Sequence, residues 1–259
     1  MNYKICIPSF NRPEIIKTKT LKLLEKYSME FNNVDIFIEN QEQYDLYYEN
    51  LKNDEKYHDL NLIITDTKGI KEKRNFIRNY YFHEDYEFIC CIDDDIDEIC
   101  VKVDDKKIKP VDDLDNLIID NFLYTKKLNL NCWGISAYHN PFFLKNNVST
   151  NLKYICGAFF GFVVDKKKEV LQTKFNHYED FEFSIKHFLR DGGVVRFNNI
   201  CIITKYFGDG GINQSYNGLE NRKKDMEIAG KKFIELYPQY SRLIKKKYGF
   251  DIRLKPIKL

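Results

Sequence analysis

Short apolar runs alternate with amphipathic stretches through the first hundred residues. Tyr3 to Pro8, Val34 to Ile38, Leu60 to Thr65 and Phe88 to Ile92 are apolar or nearly so, with the length and composition of strands buried on both faces. Helical patterns fill the gaps. From Pro13 to Tyr27, proline stands where a first turn tolerates it, Glu14 suits the positive end of the dipole, and Leu21, Leu23 and Leu24 form an apolar face. Tyr44, Tyr47, Tyr48 and Leu51 recur at helical spacing between Gln41 and Asn53, and a third helix runs from Ile70 to Phe82 directly after Gly69. This alternation predicts an α/β fold, a mixed but mostly parallel sheet flanked by helices.

The order changes after the fourth strand. Glu98 to Val103 with Ile108 predicts a β-ribbon, Val111 to Lys127 an amphipathic helix, and Asn131 to Ala137 and Tyr154 to Val164 two more strands. A helix over Phe181 to Arg190, a turn at Asp191 to Gly193, strands at Val194 to Phe197 and Cys201 to Tyr206, a glycine-rich loop from Gly208 to Gly218 and a long basic helix to Tyr237 complete the pattern. The first half has the layout of a nucleotide-binding crevice, and the second that of the part that selects a partner.

With 43% hydrophobic residues in 259, the chain can fill one large core, and a single domain over residues 1–259 is expected. No apolar stretch reaches eighteen residues, and the opening from Met1 to Pro8 lacks a signal peptide's charged head and cleavage site. The expectation is a cytoplasmic protein that does not enter a membrane. Seven cysteines, odd in number and without a Cys-x-x-Cys pair, read as reduced core thiols; Cys90 and Cys91 point to opposite faces of their strand, against a shared zinc. The net charge of +2 conceals a strong asymmetry. Glu84 to Asp120 carries 14 acidic against 4 basic residues, and Arg222 to Leu259 carries 12 basic against 4 acidic. The basic end reads either as a solvated helix face and tail or as a patch for a polyanion such as nucleic acid.

The acidic end contains the chemistry. Asp93, Asp94 and Asp95 follow the buried run Phe88 to Ile92, so one strand tip receives three like charges. That repulsion costs several kcal/mol at low effective dielectric unless a cation offsets it, and a hard divalent metal that also grips phosphate is the leading reading. Asp93 and Asp95 share a side if the strand stays extended. Glu179 and Asp180 open a predicted helix, where the dipole favours ionised carboxylates; simple N-terminal capping is the plain alternative.

Four patterns occur in order: Ile7-Pro8-Ser9-Phe10-Asn11-Arg12, then Lys68-Gly69-Ile70-Lys71-Glu72-Lys73-Arg74-Asn75, then Asp93-Asp94-Asp95, then His177-Tyr178-Glu179-Asp180. Together they resemble the GT-A (Rossmann-like) glycosyltransferases, especially the inverting family 2, over roughly residues 3 to 190. The resemblance implies a nucleotide-sugar donor, a UDP-sugar, held by Pro8, Ser9, Asn11, Arg12, Gly69, Arg74, Asn75, Asp93 and Asp94. It implies Mn²⁺ or Mg²⁺ on Asp95 and Asp93, with Asp93 also reaching the ribose, and Arg74 steadying the acid cluster. Asp180 becomes the general base and Glu179 an acceptor or orienting group. Residues 1–103 become the nucleotide-sugar half, 104–218 the acceptor half and 219–259 a basic C-terminal helix and tail. GT-A enzymes often add a late histidine ligand, yet the last histidine here is His187, so either Asp209 or Asn213 replaces it or the acid cluster alone contacts the metal.

Gly157-Ala158-Phe159-Phe160-Gly161 matches a small-residue strand start that admits substrate, or else marks close strand packing. Trp133, Tyr138, His139, Phe142 and Phe143 are candidates for an aromatic acceptor platform, with core packing the alternative for Trp133. The Asp93-Asp94-Asp95-Ile96 run and Asn140-Pro141-Phe142-Phe143 are similar to the TET/JBP-associated glycosyltransferases of phages and eukaryotes. That similarity implies DNA bearing a hydroxymethyl pyrimidine as acceptor, with the basic C-terminal region on its phosphates. A glycan, lipid carrier or protein is the rival acceptor. A metal-dependent nuclease or nucleotidyltransferase is the rival class, although the turn at Pro8 to Arg12 lacks the glycine-rich loop expected of a sugar-activating nucleotidyltransferase.

Overall fold

A computed structural model describes residues 1–204, 219–246 and 249–257. In chain order the strands are β1 (Tyr3–Pro8), β2 (Val34–Ile38), β3 (Asn61–Ile64), β4 (Phe88–Ile92), β5 (Ile96–Lys102), β6 (Ile108–Pro110), β7 (Cys132–Ser136), β8 (Val148–Ser149), β9 (Phe159–Val163), β10 (Val195–Thr204), β11 (Ser241–Lys246) and β12 (Gly249–Leu254). The helices are α1 (Pro13–Ile16), α2 (Lys22–Lys26), α3 (Gln41–Tyr47), α4 (Ile70–His83), α5 (Leu114–Lys127), α6 (Glu179–Asp191) and α7 (Leu219–Leu236).

The main sheet runs β3-β2-β1-β4-β9-β7-β10-β5-β6, with β8 paired to β10. Strands β1 to β4 are mutually parallel, as their unbroken apolar runs require, and β1, β2 and β4 are buried at every position. Strand β9 enters antiparallel between β4 and β7, and β10 runs parallel to β7 but antiparallel to β5. The sheet therefore joins residues from both halves, because β10 lies beside β5. Pro8 causes no gap in the ladder, since β4 pairs with β1 only as far as Cys6.

Several elements differ from the sequence expectation for visible reasons. The two strands expected at Val194 to Phe197 and Cys201 to Tyr206 form, as far as the described residues reach, one strand, β10 (Val195–Thr204), whose pairing with β7 slips between Phe197 and Cys201. The polar Asn198 that interrupts its apolar pattern is buried and bonds through its amide to Asn147 Oδ1 and Ser149 Oγ, both at 2.8 Å. Strand β9 begins only at Phe159, because the chain before it is tied elsewhere: Ile155 N–H to Ser184 Oγ at 2.9 Å, and the carbonyl of Ala158 to Asp93 N–H at 2.9 Å. Instead of a tail, the chain after α7 folds into the β11–β12 hairpin, paired from Ser241–Leu254 to Lys246–Gly249. The hairpin and α7 share a cluster with α6 built on Ile185, Phe233, Tyr237 and Ile252. All seven cysteines are free and buried, and among the described residues no helix is long and apolar enough to cross a membrane.

Candidate active site

Three turns bring the predicted site residues together at the C-terminal ends of β1 and β4, and each passes through the left-handed region. Asn11 (φ 55) reverses the chain after β1, Gly69 (φ 85) opens α4, and Tyr178 (φ 66) opens α6. Asparagine and glycine adopt that region at little cost, whereas a tyrosine there is uncommon and is maintained by its surroundings. Tyr178 is held by its hydroxyl, which donates to the Phe250 carbonyl in the hairpin at 3.2 Å.

The three aspartates face different ways. Asp94 is buried, accepts from Ser9 Oγ at 2.5 Å and pairs with Arg12 at 3.0 Å; Ser9 in turn contacts the Tyr47 hydroxyl at 2.5 Å. Arg12 Nη1 also reaches Asp95 Oδ2 at 3.2 Å. Asp95 accepts from Thr204 Oγ1 at 3.1 Å and is the more exposed of the Arg12 partners. Asp93 turns to Arg74, with Nη2 to Oδ1 at 2.8 Å. The backbone of the cluster is fixed by Thr20, which donates to the Asp93 carbonyl at 2.7 Å and accepts from Ile96 N–H at 3.0 Å. Thr20 is fully buried and lies in a π turn, Lys17–Leu21, between α1 and α2.

Arg74 connects the cluster to the second acidic pair. Its guanidinium bonds Asp93, the Gly157 carbonyl at 2.7 Å and Glu179 Oε1. Gly157 is required by this route: a Cβ there would overlap the guanidinium. Burial opposes the Arg74 charge, but Glu179, Asp93 and Asp180 outweigh it and hold the group well above its ordinary value. Asp180 accepts from the Tyr154 hydroxyl and from Phe181 N–H at 3.0 Å. Burial, reinforced by the charge of Glu179, lifts the Asp180 carboxyl to about 6. Burial likewise lifts Asp93 to about 7 against the pull of Arg74, and raises Asp94 against the pull of Arg12.

The structure thus brings Ser9, Arg12, Arg74, Asp93, Asp94, Asp95, Glu179 and Asp180 into one hydrogen-bonded constellation. Arg12 faces the acid cluster, and its guanidinium and that of Arg74 supply the positive charge that three adjacent aspartates demand. Asn75 is engaged elsewhere, with its amide bonded to the Thr173 carbonyl at 2.9 Å and accepting from Thr173 N–H at 2.8 Å. Pro8 and Asn11 shape the turn, with Asn11 N–H bonded to Gln43 Oε1 at 2.7 Å. Asp209, Asn213 and the Gly208 to Gly218 loop lie outside the described residues.

Gly161 exists for packing, since a Cβ there would meet Trp133 and Phe122, and Trp133 is wholly buried and belongs to the core rather than to an acceptor platform. Tyr138, Phe142 and Phe143 are exposed and grouped, with ring centroids 6.1 Å and 5.3 Å apart in successive pairs. Sequence reasoning missed Thr20, Tyr47, Tyr154, Thr204 and Lys73. Lys73 alone carried a signal, lying inside the Gly69 to Asn75 stretch: its buried ammonium bonds the Ser9 carbonyl at 2.6 Å, and burial lowers it to about 8.

Among the described residues, no three His, Cys, Asp or Glu side chains converge as a metal cage. Asp93 Oδ2, for which no hydrogen bond is seen among the described residues, and the Asp95 carboxylate, the more exposed of the Arg12 partners, nevertheless suit a hard cation of the kind that takes one or two carboxylates and completes its shell with substrate phosphates and water.

The family model described as TET-Associated Glycosyltransferase matches residues 3–211. No curated protein matches the sequence. Among solved structures, the S. aureus TarS fragment 1-349 in complex with UDP-GlcNAc is similar at a TM-score of 0.57 and 15% identity, covering 90% of this chain and 67% of that one. The mannosyltransferase PcManGT from Pyrobaculum calidifontis, in complex with GDP-Man and Mn²⁺, is similar at 0.57 and 12% identity, over 90% of this chain and 64% of that one. Mannosyl-3-phosphoglycerate synthase from Rubrobacter xylanophilus is similar at 0.51 and 5% identity, over 98% and 84%. The chain spans about two thirds of the length of the first two, and the likeness establishes the GT-A fold.

Proposed function

Because the chain belongs to the TET-associated glycosyltransferase family, a glycosyltransferase fed by a nucleotide sugar, we propose that it moves the sugar of a UDP-sugar to the hydroxyl of a hydroxymethylated pyrimidine in DNA, with inversion at the anomeric carbon. The observation that carries this reading is the Arg74 guanidinium, which ties Asp93 in the donor-facing cluster to Glu179, the immediate neighbour of Asp180. Donor and acceptor chemistry thereby share one rigid frame.

Asp180 is the general base. Its carboxylate takes the acceptor hydroxyl proton as the acceptor oxygen bonds to the anomeric carbon, and the bond from that carbon to the diphosphate breaks with the electron pair leaving on the nucleoside diphosphate. A carboxyl lifted to about 6 is a stronger base than an ordinary aspartate and is still ionised near neutrality. Tyr154 and Phe181 N–H orient it. Asp95 and Asp93 would hold Mn²⁺ or Mg²⁺, which supplies charge neutralisation on the diphosphate. TarS with UDP-GlcNAc and PcManGT with GDP-Man and Mn²⁺ support both the donor class and the metal. Arg12 and the loop from Ser9 to Arg12 line the approach to the same carboxylates and would contact the nucleotide. Exposed Tyr138, Phe142 and Phe143 offer faces on which an extruded base stacks.

Mass spectrometry of hydroxymethylated and unmodified DNA, incubated with the protein, Mn²⁺ and a panel of nucleotide sugars, tests the reaction. The expected result is a hexose-sized mass gain on hydroxymethylated DNA alone. Asp95→Ala is expected to abolish metal-dependent binding of the UDP-sugar in calorimetry while the fold persists. Sugar transfer only to a glycan or protein panel would overturn the DNA acceptor, and unchanged donor binding by Asp95→Ala would overturn the metal role.

A further inference from the structure

Several surface lysines meet a carboxylate, as Lys19 does Asp97, Lys109 Asp112, Lys126 Glu87 and Lys168 Asp191. A cleft of about 450 Å³ beside β10 instead gathers cations that do not. Lys145, Lys153 and Arg196 all line it, together with Tyr138, Phe143 and Asn198. Among the described residues none of the three cations has an acidic partner, and the side chains of Lys145 and Lys153 make no hydrogen bond. Arg196 is positioned by the fold, with Nε donating to Asn198 Oδ1 at 2.7 Å, while Asn198 is itself buried and clamped by Asn147 and Ser149. Burial and the neighbouring charges of Arg196 and Lys145 push Lys153 below its ordinary value, as expected of cations assembled without a counter-charge.

The cleft adjoins the base. Arg196 Nη1 lies 3.4 Å from the carbonyl of Tyr154, whose hydroxyl donates to Asp180. Its outer wall is the exposed Tyr138 and Phe143. Three convergent cations without a carboxylate, an anchored guanidinium and an aromatic rim are what a phosphate next to a stacked base needs.

We propose that the Lys145, Lys153 and Arg196 cleft is the seat for a backbone phosphodiester of the nucleic-acid acceptor, fixing the strand so that the neighbouring nucleotide reaches Asp180. This assignment rests on the DNA-acceptor reading and adds the residues that grip the strand. Phosphate contacts position while the pocket selects the base.

Fluorescence anisotropy of a labelled single-stranded oligonucleotide carrying hydroxymethylcytosine, titrated across salt concentrations, tests it in the full chain. Lys145→Ala/Lys153→Ala removes two side chains that hold no partner among the described residues, so its melting temperature is expected to match or exceed that of the wild type. Its oligonucleotide affinity should fall at least about ten-fold at low salt, and the slope of log K against log salt should drop by about 0.7 for each phosphate the variant no longer neutralises. Wild-type affinity and slope in this variant would overturn the seat and leave the DNA reading standing. A wild-type protein that ignores the oligonucleotide overturns both. In that event a thermal shift produced by inorganic phosphate in the wild type and absent from the variant would reassign the cleft to a small phosphorylated acceptor.

Discussion

Asp180 is one carboxylate among several at this site, yet its surroundings single it out. Arg74 satisfies Glu179 and Asp93, and Arg12 satisfies Asp94 and Asp95, whereas the side-chain partner of Asp180 is the neutral Tyr154 hydroxyl. With burial and the Glu179 charge lifting it to about 6, against 3.8 for an ordinary aspartate, the protonated form, which has no capacity for the proposed general-base role, persists well above the usual carboxylate range. The basic form is absent below this value and complete above it, so kcat/KM is expected to rise with pH through about 6 and then level off. Asp180→Asn should lower kcat by about 10²- to 10⁴-fold with nucleotide-sugar binding retained, and should erase that limb of the profile. Measurement of the pH profile of both proteins under steady-state conditions checks the assignment, and a wild-type limb that survives in the variant would place the base elsewhere.

At the level of elements, the site depends on a departure from regular geometry. The first helix widens into a π turn at Lys17–Leu21, and that turn puts the Thr20 hydroxyl between the Asp93 carbonyl and Ile96 N–H, spanning the acid cluster from end to end. Such turns recur at functional sites because they aim one residue off the helical repeat. Thr20→Val keeps the shape but leaves a buried N–H unsatisfied, which should cost about 1–3 kcal/mol. The same variant should weaken UDP-sugar binding, and Thr20→Ser should restore both; thermal melts and calorimetry separate these outcomes. Strands β1, β2 and β4 were legible in the sequence because burial on both faces writes a largely apolar run, the half-buried edge strand β3 was legible from its short Leu62-Ile63-Ile64 run, and the Asp93 and Glu179 patterns were legible because acids abut such a run or a helix start. Thr20 was not legible: one threonine in an amphipathic helix gives no hint that the helix will widen. The split of β10 into two expected strands has the same origin, because sequence shows the polar Asn198 but not the Asn147 and Ser149 that satisfy it. Charge counting along the chain also passes over Lys145, Lys153 and Arg196, which are brought to one cleft by β8 and β10 rather than by proximity in sequence.

In the molecule as a whole, the basic C-terminal segment has a mechanical position as well as a charge. Several of its cations are internally matched, as with Lys231 to Glu227 and Lys246 to Asp251, while Lys247 lies outside the described residues. Its apolar residues close over α6, the helix that begins with Glu179 and Asp180. The polar centre of that contact is Glu182, which is fully buried, accepts from Lys174 N–H at 2.6 Å and Phe175 N–H at 3.2 Å, and receives the Tyr237 hydroxyl of the C-terminal segment at 2.9 Å. Tyr178, whose positive φ stands ahead of the proposed catalytic pair, is tied to the same segment through Phe250. The segment therefore braces the turn before Asp180, and with the roles proposed above its loss should affect transfer before donor binding, which those roles assign to the turns around β1, α4 and β4. Tyr237→Phe isolates that brace. Removing a hydrogen bond to a buried charge should cost about 1.5–3 kcal/mol, and because the partners of Glu182 among the described residues are Lys174, Phe175, Lys186 and Tyr237 rather than residues of the acid cluster, UDP-sugar affinity should hold while kcat falls. Denaturant melts, calorimetry and turnover measured on one preparation check the three statements together, and a loss of donor affinity equal to the loss of turnover would show that the C-terminal segment supports the donor cluster rather than the base.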